Sequence, residues 1–450
     1  MELRDKKVLV VGTGISGIGA VKLLNQVGAD TILYDGNEKL VKSEIEKKLE
    51  GNKAEIIIGA LDDAVIRTVD LLVISPGVPI DSEIVNRFKA ANVPVWGEIE
   101  LAFNYDKGKV LAITGTNGKT TTTALVGQIA AAYNKETFVV GNIGNSYTGE
   151  VLATTENSLT VAEISSFQLE TVYDFKPVVS AILNITPDHL NRHKTMENYA
   201  YTKEKIAQNQ TASECCILNY DDEMLREFGK ETKAKVVWFG RVNKPENGAY
   251  LDGDMICFTD GTTTEQIINV HEMNLIGAHN YENVMAAVAI TKSAGIPTEI
   301  IRDEIKKFKA VEHRIEYVAT KNDVMYYNDS KGTNPEAAVK AIEAMTRPTI
   351  LIGGGYDKKS EFDLYVKAFK GRVKLLVLIG QTSEKIAATA RKYGFDQIVM
   401  ADSLEEVVTI CAKRAVPGDA VLLSPACASW GMFDNYEQRG NMFKDYVNNL

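Results

Sequence analysis

The sequence predicts an α/β protein of three domains in series, each built on a mostly parallel sheet. Apolar strand-like runs are each followed by a polar or glycine-rich turn and then a helix-period segment, and this order restarts twice along the chain. The chain has 450 residues, and at roughly 150 residues per domain that makes about three. Two glycine loops each follow a strand and open a helix, one near residue 12 and one near residue 115.

The first segment, 1–97, opens on KVLVVG, a continuous apolar run suited to a strand buried on both faces. Ile15, Ile18, Val21 and Leu24 then recur at helical spacing, and Gly28 is placed to stop the helix. TILYD is the next strand, ending at Asp35; AEIIIG, DLLVISPG and VPVWG follow. The segment therefore reads as a small Rossmann-like, doubly wound sheet. A second start at KVLAITGTNGKTTTT opens segment 98–309, which continues through TFVVGNIG, LTVAEISS, VVSAILNI, CCILNYDD and KVVWFG. Asp252-Gly253 and Asp260-Gly261 are hairpin turn signals, and HNYENVMAAVAITKSAG reads as a closing helix. Segment 310–450 repeats strand, polar turn and helix, again in Rossmann-like order. Its polar turns fall at the carboxyl ends of strands, where open α/β sheets bind ligands.

Composition narrows the function. A net charge of −10 leaves no broad basic face for nucleic acid or an anionic membrane. The five cysteines form no C-x-x-C and no framework spacing, which fits a reducing compartment. The N-terminus passes directly from charges into a strand, leaving no room for a signal-peptide core, and no apolar run approaches the ~20 residues of a membrane span. The expected location is the cytoplasm.

Gly12, Gly14 and Gly17 complete a G-x-G-x-x-G with Asp35 on the next strand end: on pattern the dinucleotide fingerprint, whose diphosphate a UDP-linked sugar also carries, or else a tight turn with glycines for packing only. The second loop is irregular. The usual G-x-x-x-x-G-K-[ST] requires a glycine at 113, where Ile113 stands, and Gly115 comes two residues later. Even so, TGTNGKTTTT gathers backbone N–H groups at a helix start and puts Lys119 within reach of β- and γ-phosphates. It also puts Thr120 where a hydroxyl joins a Mg²⁺ shell. The central segment is thus expected to be a P-loop-type ATPase domain. Four consecutive threonines are poor helix formers, so propensity did not select them.

Other residues are open to two readings. Glu163, at the end of LTVAEISS, is either a Mg²⁺ ligand or a solvated strand-end acid. His189 and His193 stand at i, i+4 without a third zinc ligand at metalloprotease spacing. Lys203 by itself reads as a helix-surface lysine. Asn280 and Asn283, one helical turn apart, serve as caps or as ligand contacts. Physical reading of the residues stops at an ATP-using, Mg²⁺-dependent enzyme.

Taken together, TGTNGKTT, GNIG, E-x-SSFQLE, TPDHL, HNYEN, EHR and DSKGTNP resemble, in that order and over essentially the whole chain, the Mur ligase family of ATP-dependent amide-bond ligases. DSKGTNPEA and SPACASWGMFDNYEQRG are similar to the branch that adds D-glutamate. The resemblance implies three small-molecule substrates: UDP-N-acetylmuramoyl-L-alanine, D-glutamate and ATP. It also implies the ligation chemistry of peptidoglycan precursor synthesis and a monomer with no nucleic-acid or membrane partner. It places the UDP-substrate near Gly14, Ile15, Ser16, Asp35, Gly36, Ser75, Pro76, Gly77 and Asn142. ATP is placed at Gly115, Thr116, Asn117, Gly118, Lys119, Thr120 and Thr121, with Asn280, Asn283, Arg314 and Asp329. Mg²⁺ falls to Thr120, Glu163, His189 and Lys203, the last carbamylated, and D-glutamate to Thr333, Lys358, Ser429 and Tyr436. Catalytic roles fall to Lys119, Glu163, His189, Lys203 and Lys331. Gly36, Gly431 and Tyr436 depart from the family pattern on the substrate side. Three other readings stand beside this one: a Mur-type ligase of different amino-acid specificity, an NAD-dependent oxidoreductase built on the first loop, and a non-catalytic nucleotide switch.

Overall fold

A computed structural model describes residues 2–309 and 311–450. Met1 and Ala310, which open two of the expected segments, lie outside the described residues.

Among the described residues three sheets are present, and in each one the strand order explains where the loops gather. The first has five parallel strands in the order Glu55–Ile58, Asp30–Asp35, Lys7–Val11, Leu71–Ile74, Val95–Gly97. The chain reverses its direction of winding at Lys7–Val11, so the carboxyl ends of its two neighbours diverge and leave a crevice beside the first glycine loop. After Lys7 its middle strand is apolar and buried, with Val8, Leu9 and Val10 at 0% exposure, as a strand covered on both faces must be.

The second sheet has nine strands. Lys109–Thr114 lies between Val179–Ile182 and Leu159–Glu163, and Thr137–Gly141 forms the edge beyond. On the other side follow Cys215–Asn219, Lys235–Gly240 and Gly248–Asp252, all parallel. Met255–Thr259 and Thr264–Asn269 then add antiparallel, across the two expected Asp-Gly turns. The third sheet runs Glu316–Lys321, Val324–Asn328, Ala420–Leu423, Thr349–Gly353, Val373–Ile379, Ile398–Ala401, and only its first pair is antiparallel.

The chain forms two compact units. One runs up to Glu272 and includes Glu282–Lys306; the other is Met273–Tyr281 with Lys307–Leu450. The first two sheets therefore share a unit. A buried acid helps to join them: Glu100, at 0% exposure in the helix Glu98–Phe103, accepts from the backbone N–H groups of Tyr173 (2.9 Å), Asp174 (2.8 Å) and Phe175 (3.2 Å). A carboxylate so satisfied is stable in the interior without a cation. The helix after the first loop spans Ile15–Gln26 and is capped by Val27, one residue before Gly28.

Candidate active site

At the first loop, the helix Ile15–Gln26 starts from Gly14 with no side-chain cap, so its first N–H groups remain available to an anion. Ile15, 84% exposed, stands at that start. A Cβ on Gly17 would overlap the carbonyl oxygen of Gly12, so the third glycine is required by the close approach of helix and strand. Asp35 accepts from the Thr13 N–H (3.2 Å), the Thr13 hydroxyl (2.9 Å) and the Asn37 N–H (3.0 Å), so this acid first of all shapes its own loop. Ser75 Oγ is buried and without a hydrogen-bond partner. Pro76 and Gly77 follow it, and Gly36 is exposed beside Asp35. Ser16 and Gln168 both hydrogen-bond to Glu98, whose carboxyl is nonetheless pushed up by burial.

The second loop, Gly115 to Gly118, joins the strand Lys109–Thr114 to the helix Lys119–Tyr133. Gly118 has φ +87°, and a Cβ there would collide with the Asn283 side chain, so the short loop tolerates only glycine at that point. Asn184 braces it from the neighbouring strand end: its Oδ1 accepts from Asn117 N (2.8 Å) and its Nδ2 donates to Asn117 O (3.0 Å). Thr116 Oγ1 donates to Thr186 O (3.1 Å) and lies 3.2 Å from the Tyr199 hydroxyl. Lys119 Nζ folds over the loop, donating to Gly115 O and Thr116 O at 2.9 Å each. Thr120 is half-buried and Thr121 buried at the helix start.

Lys203 is not a surface lysine. It is 1% exposed in the helix Met196–Glu204, and its Nζ donates to the same Gly115 carbonyl at 2.8 Å. Burial, together with the charge of Lys119, holds its ammonium well below the usual lysine range, with Asp188 offsetting in part. Nor is Glu163 a solvated acid. It is 1% exposed, Oε1 accepts from Asn142 Nδ2 (2.7 Å), and Oε2 is buried with no partner.

The two histidines do not pair. His189 caps the short helix Leu190–His193 at φ +52° and is half-exposed, beside Asp188 at 3.4 Å. His193 turns inward to Ser166 Oγ (3.0 Å), with burial and the Arg192 charge pulling it down to about 4. A cavity of about 210 Å³ brings together Pro76, Lys119, Asn142, Phe167, His189 and Lys203. Among the described residues no group of three His, Cys, Asp or Glu side chains is assembled for a metal. The residues nonetheless fit Mg²⁺, which takes one or two carboxylates and completes its shell with water and phosphate oxygens; the unpartnered Glu163 oxygen is such a donor.

Sequence reasoning did not single out Asp188 and Tyr199, which border the same cavity, or Asn184, which braces the loop above it. Ser165 also borders it, and for Ser165 a local signal existed: S-S-F-Q forms a capping box with Gln168 at the start of Ser166–Leu169.

In the other unit, three adjacent strands end in the loops that carry the remaining residues. Asp329, 1% exposed, accepts from Ser424 Oγ (2.7 Å) and Ile315 N (3.3 Å); burial pushes its carboxyl up to about 6, with the nearby Arg314 charge opposing. Arg439, 2% exposed, donates to Ser330 Oγ (2.9 Å), Ser330 O (2.8 Å) and Cys427 O (3.2 Å), binding two of the loops together. Lys331 Nζ lies 5.7 Å from the centre of the half-buried Tyr436 ring, and the half-buried Thr333 follows on the same loop. Lys358 is exposed, 5.2 Å from the centre of the Trp430 ring, next to the buried Ser429. Asn280, 5% exposed, donates to Ile276 O at 2.8 Å.

Family models match most of the chain: the Mur ligase MurD-like N-terminal domain over residues 6–97, the Mur ligase middle domain over 113–291 and the Mur ligase glutamate ligase domain over 313–427. The UDP-N-acetylmuramoylalanine–D-glutamate ligase of Lachnospira eligens is 74% identical over the full length of both chains. The enzyme of the same name from Lachnoclostridium phytofermentans is 54% identical, covering 100% of this chain and 99% of its own. Among solved structures, UDP-N-acetylmuramate-alanine ligase MurC from Thermotoga maritima is similar in fold, with a TM-score of 0.61 at 18% identity over 99% of both chains. MurF ligase from the same organism, in complex with ADP, gives 0.60 at 16% identity, covering 100% of this chain and 96% of that one.

Proposed function

Because the chain belongs to the Mur ligase family, we propose that it joins D-glutamate to UDP-N-acetylmuramoyl-L-alanine with ATP, in peptidoglycan precursor synthesis. The observation that carries this reading is 74% identity, over 100% of both chains, to a ligase named for that reaction.

On this reading the UDP-substrate occupies segment 1–97 at Gly14, Ile15, Ser16 and Ser75–Gly77, ATP occupies 98–309, and D-glutamate occupies 310–450. The substrate carboxylate attacks the γ-phosphorus of ATP, giving an acyl phosphate and ADP. The amine of D-glutamate then attacks the acyl carbon, loses a proton, and phosphate leaves as the amide forms. Such phosphoryl transfer depends on in-line positioning and on cations at the developing charge. Lys119, already at the loop, swings from two carbonyls onto the phosphates. Thr120, Glu163, His189 and Lys203 hold Mg²⁺, which when bound offsets phosphate charge.

Lys203 fits this task as a carbamate. A neutral amine attacks CO₂ and loses a proton, turning a cation into an anion; burial and the Lys119 charge favour the neutral amine, and that same neighbouring charge attracts the anionic product. Lys358 offers a counter-charge to the D-glutamate side chain, with Thr333, Ser429 and Tyr436 around it, and Lys331 meets the nucleotide phosphates. We place the reaction in the cytoplasm, on the cysteine usage and the nucleotide-linked substrate.

The test is phosphate release from ATP and Mg²⁺ with UDP-N-acetylmuramoyl-L-alanine, comparing D-glutamate, L-glutamate, L-lysine and no amino acid. Release that requires D-glutamate is expected. Release with another amino acid would move the enzyme to a different specificity, and release with none would favour the nucleotide switch.

A further inference from the structure

Arg192 lies three residues after His189, and its guanidinium is shared between two chain segments. Nη1 donates to Pro76 O (2.9 Å) and Nη2 to Val78 O (3.0 Å). Nε donates to both Glu170 oxygens at 3.1 Å, and Nη2 also reaches Glu170 Oε2. The group lies 4.4 Å from the centre of the Phe167 ring, and that ring is 4.8 Å from the His189 ring. Both charged side chains are largely sequestered, at 14% and 6% exposure. Pro76 and His189 border the same cavity as Lys119 and Lys203. One rigid fork thus connects the Ser75–Val78 turn of the first sheet to the helix that starts at His189.

We propose that Arg192 is a positioning residue: it sets the Ser75–Val78 turn against His189 and so fixes where the UDP-linked substrate is presented to the phosphate donor. This rests on the assignment of the UDP-substrate and ATP to the two loops above. Planarity is what makes arginine necessary. Its five N–H groups satisfy a carboxylate and two carbonyls in fixed directions at once, whereas a lysine ammonium is a point charge that cannot hold the same geometry. A displacement of about 1 Å at a reacting centre is enough to lower turnover by ~10²-fold.

The experiment is steady-state kinetics of Arg192→Lys, which keeps a charge beside Glu170, with melting checked against the parent. Turnover is expected to fall about 10–100-fold and KM for the UDP-substrate to rise, while KM for ATP stays within about twofold. In Arg192→Ala, millimolar guanidinium should recover part of the lost turnover and leave the parent unaffected. A folded Arg192→Lys with parental turnover and KM for the UDP-substrate overturns the proposal. So does a KM for ATP that rises in step, or, if the lysine variant does not fold, an Arg192→Ala enzyme that guanidinium cannot rescue. The parent's own D-glutamate-dependent phosphate release is the control: its absence counts against the assigned reaction, not against the strut.

Discussion

Lys203 and Lys119 show how far one carbonyl can organise a site. Two amino groups converge on Gly115 O, and burial with the Lys119 charge holds the more buried one, Lys203, well below the usual lysine range. Lys203→Ala should lose turnover, and short-chain carboxylic acids should restore part of it by replacing the missing anion; full activity without added acid would remove the carbamate from the mechanism. If Lys119 stabilises phosphate charge as proposed, Lys119→Ala should lower phosphate release by at least ~10²-fold while leaving melting near the parent value.

His193 carries a pH prediction. Its Nδ1 lies 3.8 Å from Glu170, which alone would favour the charged ring, but Glu170 is already neutralised by Arg192, and burial prevails. The folded value, about 4, is below the ordinary 6.5. The neutral ring therefore contributes stability that is complete above pH 6.5 and is lost as pH falls through about 4. Urea unfolding at pH 7 and pH 4.5 should show this loss, approaching on the order of 3 kcal/mol at its limit, and His193→Gln should flatten that part of the profile.

Among the elements, the two glycine loops differ in what constrains them. In the first, helix Ile15–Gln26 packs so closely on strand Lys7–Val11 that a Cβ on Gly17 has no room against Gly12 O. Gly17→Ala should destabilise by ~1–3 kcal/mol in chemical unfolding, through overpacking, and should weaken UDP-substrate binding in calorimetry. In the second loop the missing glycine at 113 has a structural counterpart. Ile113 is 0% exposed inside strand Lys109–Thr114, so the turn starts later and is braced by Asn184 instead. Strand and helix placement was legible because continuous apolar runs and the 3.6-residue period are local signals. The edge strand Glu316–Lys321 was not, because a half-exposed strand carries a weaker pattern, and the helix Thr298–Lys307 was passed over although Ile301 and Ile305 stand one turn apart on its buried face.

For the whole molecule, the proposed function assigns one ligand to the strand-end loops of each of the three sheets. A ligand that binds only the native state raises apparent stability, by about 2.7 kcal/mol at a hundredfold excess over Kd. Thermal melting should therefore rise with UDP-N-acetylmuramoyl-L-alanine and with MgATP separately. NADH should give neither a shift nor an absorbance change; a shift with NADH would revive the oxidoreductase reading of the first loop.

The sequence by itself determined the class of the fold, the positions of both glycine loops between a strand and a helix, and the family. Those features are local, written as periodicity and as motifs a few residues long. Tertiary structure alone decided which side chains are buried. Lys203 reads as a surface residue until its helix packs beneath the Gly115 loop, and Glu163 reads as solvated until Asn142 takes one oxygen and the interior encloses the other. Arg192 carries no motif, because two of its acceptors are carbonyls more than a hundred residues away in the chain and the third is the Glu170 carboxylate on another element. Desolvation and shared acceptors are properties of neighbours in space, and no spacing along the chain encodes them.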